Sequence, residues 1–143
     1  MCEEVLMNDH PVLEVVRLCD RAISAGNYDA LMKHYAADAS LVVKPGMTVT
    51  GRVAIRRAFE AIANYFQHQL VVEQGRMEVI EGAGTALVVM ETVLCYPDGQ
   101  GQSVESTRRA TYVFRLESDN QWRCTVDNSY GTSLLDPVLS EQG

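Results

Sequence analysis

The change of pattern after His68-Gln69 limits what this chain can fold into more than any other feature. Before it, apolar residues recur at helical spacing; after it come four long β-type runs, at residues 70–80, 85–96, 103–116 and 121–130. Turn clusters separate the runs at Gly82-Ala83-Gly84, at residues 97–101, which hold one proline and two glycines, and at Ser118-Asp119-Asn120. Long runs joined by tight turns make an antiparallel meander. Helices first and a meander afterwards predict an α+β architecture with the helices on one face of the sheet. Strands of this length twist and coil, so the sheet should curve strongly around about three helices packed in its concave face. The expected shape is a cone-shaped roll on a mixed, mainly antiparallel sheet. Its open end offers a pocket for a small molecule.

The N-terminal half supplies the helices. Val12, Val15, Val16, Cys19, Ala22 and Ile23 share one helical face, with Glu14, Arg17, Asp20, Arg21 and Ser24 on the wet side. Asp9 or Asn8 can cap this helix, Pro11 fits its first turn, and Gly26 suits the left-handed position that ends it. Asn27 can cap a second, short helix running through Asp29, Leu31 and Met32 to Tyr35. A turn at Ala36-Ala37-Asp38 then leads into a first strand at residues 40–43, and Lys44-Pro45-Gly46 breaks it before a short hairpin partner at 47–50. After Gly51 the stripe Ile55, Ala58, Phe59, Ile62, Phe66 marks a third helix, whose wet face carries Arg52, Arg56, Arg57 and Glu60.

The totals restrict partners more than they suggest them. A chain of 143 residues makes one domain, residues 1–143, with a core from about 12 to 131 and a short C-terminal tail. A formal charge of −7 disfavours a nucleic-acid backbone or an anionic membrane surface. No run approaches a membrane span and no basic-then-apolar leader opens the sequence, so a cytoplasmic location is expected. Cys2, Cys19, Cys95 and Cys124 are scattered, as suits free thiols in a reducing compartment. His10, His34 and His68 have no second ligand at zinc spacing, and neither a metal nor a cofactor is expected.

Three segments carry a family resemblance: Tyr-Ala-Ala-Asp-Ala-Ser-Leu-Val-Val at 35–43, Gly-Arg-Val-Ala-Ile-Arg-Arg-Ala-Phe at 51–59, and Trp-Arg-Cys-Thr-Val-Asp-Asn-Ser-Tyr-Gly at 122–131. In element order and in these segments the chain resembles the nuclear transport factor 2-like superfamily, within it the ketosteroid isomerase-like and SnoaL-like group. The resemblance implies a cone-shaped pocket and a homodimer joined through the sheet. It does not imply one activity, because this fold hosts isomerases, cyclases, dehydratases and proteins without known chemistry. A ketosteroid isomerase carries an oxygen-binding tyrosine on its first helix, an aspartate base on its first strand and a protonated aspartate on a later strand. Matched without gaps, the tyrosine falls at Cys19, the base at Val43 and the later acid near Thr111, Tyr112 or Val113. Val43 cannot take a proton, so that mechanism is not supported here.

Other residues must then carry any chemistry. Strand parity places Trp122, Cys124, Val126, Asn128 and Tyr130 on one face of the last strand and Arg123, Thr125, Asp127 and Ser129 on the other. The apolar members favour the first set as inward, unless a bulge in the polar run 127–129 reverses the choice. Asn128 could orient a ligand carbonyl or tie down strand-end backbone groups. Tyr112 lies in an apolar run with a phenol able to donate to a ligand oxygen, or is an ordinary core tyrosine. Glu91 is the one acid in a run that looks buried on both faces; it has a raised pKa there, or it pairs with Arg108 or Arg109. Arg108 could sit at the rim and hold an anion, or mark the wet edge of the sheet.

The candidate catalytic residues are therefore Tyr112, Glu91 and Asn128, and the candidate pocket is Cys19, Tyr35, Val43, Phe59, Tyr112, Asn128 and Tyr130. The expected ligand is a small apolar or aromatic metabolite, held with isomerase- or lyase-type chemistry. The alternatives are a non-catalytic binding module and a dimerisation module.

Overall fold

The computed structural model describes residues 10–136. Three α-helices and six strands follow one another as α1 (Pro11–Ala25), α2 (Tyr28–Met32), β1 (Tyr35–Lys44), β2 (Met47–Thr50), α3 (Arg52–Tyr65), β3 (Val71–Gly82), β4 (Thr85–Pro97), β5 (Ser103–Leu116) and β6 (Trp122–Asn128), with a 3₁₀ turn at Gly131–Leu135. The strands form one open mixed sheet in the order β2-β1-β6-β5-β4-β3. All neighbouring pairs are antiparallel except β1 with β6, which run parallel. The helices pack on the inner face, and the α+β cone expected from the sequence is the observed fold.

Local chemistry explains the boundaries. The imidazole of His10 caps α1: its Nδ1 accepts from Val12 N at 3.1 Å. Asn8 and Asp9 lie outside the described residues. His10 Nε2 also meets Glu81 Oε1 at 2.6 Å, which ties the start of α1 to the end of β3. Gly26 takes the left-handed C-cap position at φ 71°, and Asn27 Oδ1 caps α2 by accepting from Ala30 N at 3.2 Å.

Two expectations need correction near β1. Tyr35 does not end the second helix; it opens β1 and pairs with Cys124. The corner expected at 36–38 is instead a break in register, since Tyr35 pairs with Cys124 but Ser40 with Val126. Ala36 and Ala39 are buried there while Ala37 and Asp38 stand out in solvent, so the extra residues bulge away from β6.

On β4 the inner face is Ala86, Val88, Met90 and Thr92, all buried. Ala86, Val88 and Met90 meet Val12, Val16, Leu31, Ile55 and Phe114 in one core. The outer face lies open in the single chain. Val89 on β4 is 39% exposed and Val126 on β6 is 40% exposed.

Candidate functional site

The last strand decides what the cone can do. Val113 pairs with Val126 but Phe114 pairs with Cys124, so Thr125 is an extra residue on β6. Thr125 Oγ1 donates to the Val113 carbonyl at 3.1 Å and helps hold the bulge. The bulge reverses parity past Cys124. Cys124 and Asp127 are both buried on the inner face, while Val126 is turned outward.

Asp127 is thereby a carboxylate inside an apolar core. The phenol of Tyr35 donates to its Oδ2, and Phe59 stands edge-on to the Tyr35 ring at 6.1 Å. Burial pushes the Asp127 carboxyl up to about 6, opposed by the hydrogen bond from Tyr35. Burial first, and the Asp127 charge second, hold the Tyr35 and Tyr112 phenols well above their usual range. Both phenols are therefore neutral donors at any ordinary pH. The Tyr112 hydroxyl is 3.5 Å from Thr92 Oγ1, a long contact that leaves it able to turn to a ligand oxygen.

A second acid reaches this chamber from α1. Asp20 stands four residues after Val16 and three before Ile23, on the border of the apolar stripe rather than on the wet face. Its Oδ2 is buried without a hydrogen-bond partner. Burial raises its carboxyl, and the Asp127 charge raises it further, to about 7. Gln74 Oε1 on β3 is likewise buried and unpartnered. Asp20 and Gln74 line one open cleft of about 650 Å³ between α1 and β3, together with Arg17, Arg21, Ser24, Ala25, Val72 and Glu73. That volume suits a small organic ligand. A smaller recess of about 90 Å³, lined by Ile23, Tyr28, Phe59, Ile62 and Leu70 among others, shares Ser24 and Ala25 with the cleft.

The residues singled out from the sequence fall in different places. Tyr35, Cys19, Phe59 and Tyr112 do gather on the inner side of the cone. Burial, with the charges of Asp127 and Asp20 behind it, holds the Cys19 thiol far above its ordinary range, so it is an inert neutral group. Val43 and Tyr130 meet at the rim, where the Tyr130 hydroxyl donates to the Val43 carbonyl at 3.4 Å.

Asn128 is not in the pocket. The bulge turns it to the outer face, where its Nδ2 donates to Thr111 Oγ1 and to the Gly131 carbonyl, each at 3.2 Å. Its Oδ1 accepts from Tyr130 N at 3.1 Å and Gly131 N at 3.2 Å. Glu91 is also outside. It pairs in register with Arg109, and the Arg109 guanidinium lies 3.7 Å from its carboxylate.

Sequence reading missed both acids of the chamber. The signal for Asp20 was its 16-20-23 spacing; the signal for Asp127 was the polar run that made a bulge plausible. Among the described residues, no group of three or more His, Cys, Asp or Glu side chains stands at metal-binding spacing. Among the described residues, no helix is long and apolar enough to cross a membrane.

Comparison with known proteins fits this geometry. Residues 12–127 match the sequence profile of the SnoaL-like domain. Among solved structures, a nuclear transport factor 2-like protein with a cystatin-like fold from Novosphingobium aromaticivorans superposes with a TM-score of 0.76 at 17% identity, over 94% of this chain and 92% of that one. A proposed dehydratase of the same superfamily from Streptomyces avermitilis gives 0.70 at 20% identity, over 82% and 91% of the two chains. A proposed ketosteroid isomerase from Shewanella frigidimarina gives 0.66 at 16% identity, over 80% and 90%. At such identities the likeness is one of fold. A search of curated protein sequences gives no significant match.

Proposed function

The chain belongs to the SnoaL-like domain family, and on that footing we propose that it binds a small, mostly apolar carbonyl compound in the α1–β3 cleft and moves a proton on it. The observation that carries this reading is the buried, unpartnered Oδ2 of Asp20 at the α1–β3 cleft, with the Asp127 carboxyl, held by Tyr35, close enough for its charge to help raise Asp20 to about 7. A general base works best when its pKa lies near the working pH. The environment pushes Asp20 there while Asp127 keeps its charge above about pH 6.

In this reading Asp20 takes a proton from the carbon beside the carbonyl. The C–H bond breaks, an O–H bond forms on Asp20, and the electron pair moves to the carbonyl oxygen. The neutral phenol of Tyr112 donates to that oxygen as charge develops. Returning the proton to another carbon completes an isomerisation; loss of a leaving group from the adjacent carbon completes an elimination. Val43, where the ketosteroid isomerases have their base, takes no part.

The test is deuterium incorporation in heavy water, followed by NMR, at the carbon beside the ketone of methyl 4-oxo-4-phenylbutanoate. Enzyme-dependent exchange is the expected result. Exchange no faster than buffer, with a tightly bound compound found by native mass spectrometry of protein from its own host, would make this a binding module.

The outer face of the sheet supports a homodimer as partner. Ile80, Leu87, Val113 and Val126 are successive cross-strand neighbours on β3, β4, β5 and β6, so they form an apolar row across four strands. Ile80 is 62% exposed in the single chain. A second copy of the same face is the economical cover for such a row. Light scattering should give twice the chain mass of 15.8 kDa, and Val113→Lys should return it to one chain mass. A native protein that runs at 15.8 kDa ends this reading.

A further inference from the structure

Gln74, Thr92 and Arg108 are direct cross-strand partners on β3, β4 and β5 and so stand in one row on one face. Buried Thr92 identifies that face as the inner one. On the same face, Met90 with Ala110 and Val88 with Tyr112 are the next steps along β4 and β5. Gln74 is at the cleft with an unpartnered oxygen, beneath Asp20. Arg108 is at the other end of the row, half-buried, with its guanidinium 4.4 Å from the centre of the Tyr130 ring.

The state of Arg108 differs from that of Arg109, the next residue on β5. Arg56, Arg109, Arg115 and Arg123 each meet a carboxylate on the surface. Among the described residues Arg108 has no such partner; its one polar contact is from Nη1 to Ser129 Oγ at 3.4 Å. A guanidinium carries five N–H donors in a rigid fork, and stacking on an aromatic ring fixes its plane while leaving its edge free. An arginine held in this way on the inner face is built to meet an anion.

We propose that Arg108 is the specificity-determining residue of the site, and that the ligand is a carboxylate whose other end is the carbonyl that Asp20 works on. This rests on the proton-transfer reading of Asp20. One guanidinium edge matches the two oxygens of a carboxylate, whereas a phosphate would leave a further charged oxygen without a donor. The separation also fits. Two inter-strand steps, about 10 Å, lie between Gln74 and Arg108, which sets the ligand's charge apart from Asp20 at the cleft. The net charge of −7 works against anions in general, so a preference for one needs local cations: Arg17 and Arg21 stand at the cleft, and Arg108 stands at the far end of the row on the inner face.

The experiment compares 4-oxo-4-phenylbutanoate with its methyl ester, measuring binding by calorimetry and deuterium exchange by NMR, for the native protein, Arg108→Gln and Arg108→Lys. The acid should bind about 10- to 100-fold more tightly than the ester, the strength of a charge-assisted hydrogen-bonded pair. Arg108→Gln should remove that preference by weakening the acid alone, and Arg108→Lys should restore part of it. Equal binding of the two compounds overturns the proposal, as does failure of the acid to bind at millimolar concentration. Equal weakening of both by Arg108→Gln overturns it too, because that is the mark of lost packing on Tyr130. Preferential binding of the acid without exchange would leave the anion site standing and remove the proton-transfer reading; equal exchange of acid and ester would do the reverse.

Discussion

Gly131→Ala should be the most destabilising small substitution at the end of the last strand. Gly131 has φ 56°, in the left-handed region, where a side chain costs about 1–2 kcal/mol. The larger cost is steric. A Cβ there would lie 2.0 Å from the Arg109 carbonyl oxygen and 3.1 Å from its carbon, both backbone atoms of β5. Neither can swing aside as a flexible side chain would. The turn is also held from within, because Asn128 accepts from the amides of Tyr130 and Gly131 and donates to the Gly131 carbonyl. Moving Gly131 away from β5 therefore breaks these bonds. The expected loss is at least about 3 kcal/mol, read as a fall of about 10 °C in a thermal melt. An unchanged melting temperature would show that the close approach to Arg109 does not exist in solution.

Asp20→Asn should cut deuterium exchange by about 10²- to 10⁴-fold, the usual weight of a positioned general base, and at the same time stabilise the fold. The two effects share a cause. The Asp20 carboxyl is raised from 3.8 to about 7 in the folded chain. Between those values the native state keeps a proton that the unfolded chain has already released. Stability therefore falls as pH rises through that window and levels off above about 7. Asp127 adds a fall of the same sign that ends near its own value of about 6. The amide has no charge to bury, so at pH 8 the variant should be more stable by about 3 kcal/mol, and at pH 4 nearly equal to the native protein. Melts at the two pH values decide the point. An equal difference at both would mean that the Asp20 charge costs nothing. A loss of exchange without any gain in stability would point to a merely structural role.

The architecture was written in local signals. Gly26 and Asn27 mark the ends of α1 and α2 because each satisfies backbone groups through its own conformation or side chain. The strand runs announce themselves because their turns need glycine, proline or asparagine. Position on a face was harder to see, and the site depends on it. Strict alternation puts Asn128 inward and Asp127 outward. One extra residue at Thr125 exchanges them, and the pairing that creates it belongs to β5, not to β6 alone. Tyr35 was legible as a core aromatic, yet its partner Asp127 lies on a strand far along the chain. Asp20 sits where a helical stripe ends, and a polar residue there can turn either way until the sheet beneath it is known.

The parallel seam between β1 and β6 has a consequence for how the molecule comes to exist. β1 is flanked by the local hairpin strand β2 on one side and by the last strand of the sheet on the other. Chain synthesis releases α1, α2, β1 and α3 long before the strand that joins them to the meander. The helices can meet β3 and β4 as the meander grows, but β1 has no partner on its second side until β6 emerges, and long-range pairing of this kind is slow. The proposed site draws Asp20 from α1, Tyr35 from β1 and Asp127 from β6. It thus comes into being in the same event that closes the fold, and no partly made chain carries a working fraction of it.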